Sequence, residues 1–209
     1  MANGRRLSEG TIAPSRIRNP PTDEKRAIQS ETKPPAMVGL ERGTIELVSD
    51  RREWVEAYEA EVDRLHSLLG DRVIEFDHVG STAVEGRTAK PIVDVCGLVE
   101  SLDAARELIP ILEDHGYEHR PTDDVDDRVF LANGPRSRRT HHLSLTTPNS
   151  DTHREQLAFR DYLRANPDVA TEYEELKREL AERYPNDRAR YTEEKSAFVG
   201  SALERAPDQ

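Results

Sequence analysis

Apolar residues recur at helical spacing in the stretch that follows Asp50. The repeating positions are Trp54, Tyr58, Val62, Leu65 and Leu69. Asp50 with Glu53 three positions later is a typical helix start, and Gly70 is a typical helix stop. The pattern therefore predicts an amphipathic helix from Asp50 to Gly70.

Two segments rich in strand-forming residues come next. Residues 73–78 are short and contain several β-formers, and residues 91–99 are a nearly unbroken apolar run around Asp94. A continuous apolar run of this length is typical of a central strand that is buried on both faces. We expect two strands joined by a loop.

Residues 101–115 again show helical spacing of apolar positions. Ser101 is the expected N-cap and Gly116 the expected stop. Pro110 lies inside this pattern and should bend or interrupt the helix, because proline lacks the backbone N–H that the helix needs.

The remaining chain combines one strand pair with a helical half. Residues 128–132 and 140–146 alternate in strand fashion around Asn133-Gly134-Pro135, which predicts a turn joining an antiparallel pair. After Pro148 the pattern predicts helices over 151–165, over 167–184 behind Asn166 as cap, and over about 187–203. The fold class is therefore α/β (α+β), with a mixed sheet flanked by helices and a helical C-terminal part.

The first 36 residues differ from the rest in composition. They contain five of the thirteen prolines and seven Lys or Arg against four Asp or Glu, so residues 37–209 carry 23 against 37 and a net charge of −14. We interpret residues 1–36 as a disordered basic extension. It is expected to be a solvated tail or the product of a mis-assigned start codon, with Met37 as an alternative start, and contact with a nucleic acid or an acidic partner is the other possibility.

The acidity of the body limits its partners. A negative field repels nucleic acid and anionic membranes, and it is typical of halophilic proteins. Cys96 is the only cysteine, which excludes an intramolecular disulfide, and no apolar run approaches the length of a membrane span. We expect a soluble protein of the cytoplasm with no membrane partner.

The loop between the two predicted strands has the residues of a phosphate site. Gly80 allows close approach of the backbone, Ser81 and Thr82 offer hydroxyls, and Lys90 adds a positive charge. Asp94 lies in an apolar run, where a carboxylate is costly unless it binds a metal or a strong donor. It is the best single catalytic candidate, and a satisfied structural aspartate is the alternative.

The string GSTAVEGRTAKPIVDV, residues 80–95, resembles the GrpB family. The segment LAFRDYLRANP, residues 157–167, and Tyr191 followed by Lys195-Ser196-Ala197-Phe198 resemble the helical C-terminal half of the same family. The resemblance covers roughly residues 44–204. A core over about 44–147 and C-terminal helices over about 150–204 are therefore expected to form one domain.

The resemblance implies a nucleotidyltransferase-like fold in which a Gly-Ser turn holds nucleotide phosphates and acids on the following strands bind Mg²⁺. Gly80 and Ser81 match the turn, and Asp94 matches the first acid. Cys96 stands where the active superfamily has a second acid, so we expect a single, weaker ion in place of a two-metal site. The family also occurs fused to dephospho-coenzyme A kinase, which suggests a link to coenzyme A.

Further site candidates come from the second half of the chain. His142 matches the first histidine of a family His-Leu-His segment, and Ser144 replaces the second. Strand alternation places His142, Ser144 and Thr146 on one face and His141 on the other. His142 is a candidate metal ligand, general base or phosphate donor, with a structural hydrogen bond as the alternative. His78, beside the loop, is a weaker candidate.

Arg160 and Arg164 are four positions apart and share one helical face, so both are candidates for binding an anionic ligand. Lys177 and Lys195 match other basic positions of the family. Surface ion pairs are the alternative for all four. Two functions follow: a metal-dependent nucleotidyltransferase that acts on an unknown acceptor, or a non-catalytic module that binds a nucleotide or phospho-metabolite.

Overall fold

The structure is a computed structural model that describes residues 1, 38–49, 52–185 and 187–206. The predicted cap Asp50, the alternative start Met37 and nearly all of the predicted extension lie outside the described residues. Residues Lys33–Gln209 form one compact unit that contains every described helix and strand.

One sheet of five strands organises this unit, in the order β1-β2-β5-β4-β3. β2 and β5 are parallel at its centre, and the other neighbours are antiparallel, which confirms the predicted mixed sheet. The strands are β1 Glu75–Val79, β2 Val93–Leu98, β3 Tyr117–His119, β4 Arg128–Asn133 and β5 His141–Thr146.

Five helices flank the sheet, and all five were predicted within a few residues. They are α1 Arg52–Leu69, α2 Leu102–Glu113, α3 Asp151–Ala165, α4 Pro167–Arg183 and α5 Arg188–Arg205. The α/β class with a helical C-terminal part is therefore confirmed. Ser101 caps α2 as predicted, because its hydroxyl accepts from the N–H of Ala104.

The two faces of the sheet are packed differently. On the closed face, Val95 of β2 and Leu143 of β5 are opposite each other and form one core with apolar side chains of α1 and α2. The opposite face carries Asp94 beside His142. We call it the open face, since it borders a cleft between the sheet and helices α3 and α5.

The predicted antiparallel pair of β4 and β5 is confirmed, and the link between the two strands spans residues 134–140. Two local predictions need correction, and one element was missed. α2 is not interrupted at Pro110 but continues to Glu113, since the missing N–H of proline removes only one of the ladder bonds. Asn166 does precede α4, but its side chain donates back to the carbonyl of Tyr162 instead of capping. The short strand β3 was not predicted.

Candidate functional site

The cleft begins at the turn after β1. Gly80 has φ of 72° and ψ of −170°, and Ser81–Ala83 form a single 3-10 turn behind it. A Cβ atom at position 80 would overlap Oδ2 of Asp94. Only glycine therefore allows both the backbone angle and the close approach of the turn to Asp94.

Asp94 and His142 form a pair on neighbouring strands. Nδ1 of His142 lies 3.0 Å from Oδ1 of Asp94, and the two side chains are 20% and 40% exposed, respectively. Burial opposes ionisation of Asp94, but the hydrogen bond from His142 and the nearby charge of Lys195 hold its pKa below the ordinary value. The carboxylate thus orients the imidazole beside the cleft.

A cavity of about 210 Å³ lies in front of this pair. Three basic side chains line it together with Ser81 and Thr82: Lys90, Arg188 and Lys195. We call this cavity the cationic lobe. The sequence predicted Gly80, Ser81, Thr82, Lys90, Asp94 and His142 as site residues, and the structure brings them together at this cleft.

The basic groups of the cationic lobe crowd one another. In the described chain, none of Lys90, Arg188 and Lys195 has a carboxylate within 4.0 Å. Nζ of Lys90 lies 4.4 Å from the ring centre of Tyr191. Burial and the charges of Lys195 and Arg188 lower the pKa of Lys90 to about 8. Perturbation of this kind is typical of functional sites.

Helix α4 holds the segment that leads to Lys90. Thr88 donates its hydroxyl to Glu174, and its carbonyl accepts from Lys177. Lys177 is 3% exposed, and burial lowers its pKa to about 7. Lys177 therefore supports the loop from behind and does not line the cleft.

Arg160 and Arg164 do share one helical face, but neither lines the cleft. Nη1 of Arg160 donates to the carbonyl of His78 at 3.1 Å, and Nη2 of Arg164 donates to that of Ala83 at 2.7 Å. Both guanidinium groups hold the backbone on either side of the Gly80 turn. The structure gives them a positioning role for the loop, and their contact with an anionic ligand stays a prediction.

His78 also acts on the loop, from the closed face. Its ring stacks on Tyr58 with centres 4.6 Å apart, and Nε2 lies 3.0 Å from Oγ1 of Thr82. Burial lowers the pKa of His78 to about 4, so the ring is neutral near pH 7.

The donor set does not match a protein-held metal centre. Among the described residues, Asp94 is the only carboxylate that lines the cationic lobe. The part of the chain that the structure describes contains no group of three His, Cys, Asp or Glu placed to hold an ion. Cys96 is buried, and burial raises the pKa of its thiol to about 11, so it does not replace the missing acid.

A second cavity, of about 400 Å³, opens from the first. Both share Ser81, Asp94, Phe130 and Lys195. The walls of the second cavity include five apolar side chains: Val125, Phe130, Phe159, Val199 and Leu203. We call it the apolar lobe.

Sequence reasoning missed two residues that shape the cleft. Arg188 lies at the first position of α5, and no motif or spacing in the sequence distinguishes it from the other arginines. Phe130 looked like an ordinary strand residue, yet its ring lies 5.1 Å from that of His142. Strand alternation was a usable signal, because Phe130 is opposite Ser144 and so shares the face of His142.

Comparison with known proteins gives one family. Residues 44–205 match the family described as "GrpB protein". The "Glutamate-rich protein GrpB" of Alkalihalophilus pseudofirmus is 37% identical over 171 residues, which cover 80% of this chain and 98% of that protein. A dephospho-CoA kinase of Mycolicibacterium paratuberculosis is 30% identical, over 81% of this chain and 47% of that protein.

One solved structure has the same fold. The crystal structure of GrpB from Enterococcus faecalis has a TM-score of 0.70 and 32% identity, covering 77% of this chain and 98% of that one. The mixed sheet with flanking helices is thus the fold of a known GrpB protein. No helix in the described residues is long and apolar enough to cross a membrane.

Proposed function

The chain belongs to the GrpB family, and from the charges of its cleft we propose that it binds a nucleotide or a related phosphorylated small molecule. The observation that carries the proposal is the cationic lobe. Lys90, Arg188 and Lys195 line one cavity, and among the described residues none of the three has a carboxylate within 4.0 Å, in a chain whose net charge is −11. Like charges in one cavity repel, and an anionic ligand relieves that repulsion.

The turn supplies the other contacts of the proposed ligand. Ser81 and Thr82 line the same cavity as the three basic side chains, and the hydroxyl of Thr82 also pairs with Nε2 of His78. Lysine and arginine are the usual partners of phosphate oxygens, and hydroxyls add neutral donors. These contacts support binding of the terminal phosphates in the cationic lobe, with the reacting phosphorus beside Asp94 and His142.

The activity we propose is nucleotidyl transfer. His142, oriented by Asp94, takes the proton of an acceptor group, and the basic side chains stabilise charge on the leaving phosphates. Mg²⁺ enters the proposal only as part of a magnesium–nucleotide complex, because Asp94 alone does not fit a protein-held centre. The ion would supply further charge neutralisation to the phosphates.

One observation favours a second candidate, binding without transfer. Cys96 stands two positions after Asp94 on the same strand, and its side chain is buried against Thr146. A second carboxylate at this position would have allowed a site that holds two metal ions. The alternative is a module that binds a nucleotide or a coenzyme A-like ligand and catalyses nothing.

Calorimetric titration tests whether the cleft binds a nucleotide, and an assay for pyrophosphate tests whether transfer follows. The full chain is titrated with ATP, GTP, CTP, UTP and coenzyme A, with and without Mg²⁺, and pyrophosphate release is followed separately. We expect binding of at least one ligand, and Asp94→Asn should lower turnover far more than affinity. Binding without turnover in any condition supports the second candidate, and absence of binding contradicts both.

A further inference from the structure

Two polar side chains of the apolar lobe contain atoms that lack a partner. Nε of Arg128 and Oε1 of Gln156 are buried, and neither makes a hydrogen bond within the described chain. A buried polar atom left unpaired destabilises the folded chain. A ligand that offers one acceptor and one donor would remove that destabilisation.

The apolar lobe differs from the cationic lobe in charge. Lys90 and Arg188 line only the cationic lobe, while Glu155 is exposed at the rim of the apolar lobe. The guanidinium of Arg128 lies 5.3 Å from the ring centre of Phe130, so its charge is partly satisfied. An apolar, uncharged group therefore suits this lobe better than a phosphate does.

The two lobes meet at the reacting residues. Ser81, Asp94, Phe130 and Lys195 line both, so the junction lies beside the Asp94–His142 pair. In phosphoryl and nucleotidyl transfer, the attacking and leaving oxygens are roughly in line. A leaving group held in the cationic lobe requires the nucleophile to enter from the opposite side, which is the apolar lobe.

We propose that the apolar lobe binds the acceptor substrate, an uncharged organic molecule with an apolar body and a hydroxyl nucleophile. The inference rests on the proposed function. The acceptor oxygen forms a bond to the α-phosphorus, and the bond from that phosphorus to the bridging oxygen of the β-phosphate breaks. Pyrophosphate leaves with the electron pair, and His142 receives the hydroxyl proton.

The test uses 2-(4-fluorophenyl)ethanol as an uncharged probe and inorganic triphosphate as an anionic probe. Fluorine NMR line broadening reports binding of the alcohol to the full chain, and calorimetry reports binding of triphosphate. Val199→Trp and Leu203→Trp fill the apolar lobe from α5. Ala197→Trp, on the exposed side of the same helix, is the matched control.

We expect the substitutions to affect the apolar lobe and the cationic lobe independently. Val199→Trp and Leu203→Trp should reduce broadening at least fivefold and leave triphosphate affinity within twofold, while Ala197→Trp changes neither. Arg188→Glu should weaken triphosphate at least tenfold and keep the alcohol. Triphosphate binding without alcohol binding overturns this inference alone, and so does displacement of the alcohol by adenosine, which would make the lobe a nucleoside site. Alcohol binding without triphosphate binding overturns the proposed function instead.

Discussion

His141 and His142 are neighbours on β5, yet they belong to two different environments. His141 points to the closed face, is 4% exposed and has its pKa lowered by burial. His142 points to the open face, where Asp94 orients it beside a cavity. One step along a strand thus separates a residue of the core from a residue of the cleft.

The charged groups of the two faces differ in the same way. On the closed face, Glu61 is buried and accepts from Arg64, from the hydroxyl of Tyr117 and from Asn133. On the open face, the basic groups of the cationic lobe have no such partners in the described chain. Compensated charges stabilise the fold, whereas uncompensated charges in a cavity indicate a ligand.

The largest effect is expected from a substitution on the closed face. Glu61→Ala leaves Tyr117 and Asn133 without their acceptor and Arg64 without its counter-ion, so we expect a loss of about 3 kcal/mol in the free energy of unfolding. Urea denaturation measures this loss. Glu59→Ala, on the exposed side of α1, should change stability by less than about 0.5 kcal/mol. Equal effects of the two variants would contradict the role of Glu61.

Gly80→Ala attacks the open face. The added methyl group overlaps Asp94, and the alanine must also adopt a positive φ. We therefore expect triphosphate affinity to fall about a hundredfold, on the order of 2.7 kcal/mol. Gly86→Ala is the matched control, because Gly86 has φ of 76° but a Cβ there meets nothing within 4 Å. If calorimetry finds the same loss for both variants, backbone strain and not the approach to Asp94 is responsible.

Triphosphate binding in the cationic lobe is expected to depend on pH through the charge of Lys90. The pKa of Lys90 is lowered to about 8, so its charge is present below that pH and is lost above it. Triphosphate affinity should therefore fall several-fold between pH 7.5 and 9.5, on the order of 1 kcal/mol. In Lys90→Arg the residue stays charged, and most of this fall should disappear. Identical pH profiles would exclude Lys90 as a contact.

The smallest effect concerns the support of the loop. The pKa of His78 is lowered to about 4 in the folded chain, from an ordinary value of 6.5. Between pH 6.5 and pH 4, His78 is therefore protonated in the unfolded chain and neutral in the folded chain. Stability should decline from pH 6.5 to pH 4 by about 1 kcal/mol from this residue, after allowing for its partial exposure. In His78→Asn, thermal unfolding should show a smaller loss of stability between pH 6.5 and pH 4. An unchanged pH dependence would mean that another residue causes the loss.

Much of this architecture follows from local patterns. The helices were predictable because their apolar positions repeat over many turns. Strand alternation and the family motif gave Asp94 and His142 as separate site candidates, but their pairing depends on the parallel contact of β2 with β5, which no local pattern shows. β3 has only three residues, Tyr117–His119, and it is too short to show a period. The pattern that placed Arg160 and Arg164 on one face could not tell which side of the loop that face meets, because helix packing decides it.

The most direct test of the central claim is the affinity of inorganic triphosphate for the full chain and for Lys195→Glu, measured by calorimetry. Arg190→Glu is the control, since Arg190 carries the same charge on the same helix but lies outside the cleft and is 67% exposed. We predict at least a tenfold loss for Lys195→Glu and a change below twofold for Arg190→Glu. Equal losses in both variants, or no binding to the unmodified chain, would contradict the cationic lobe as a phosphate site.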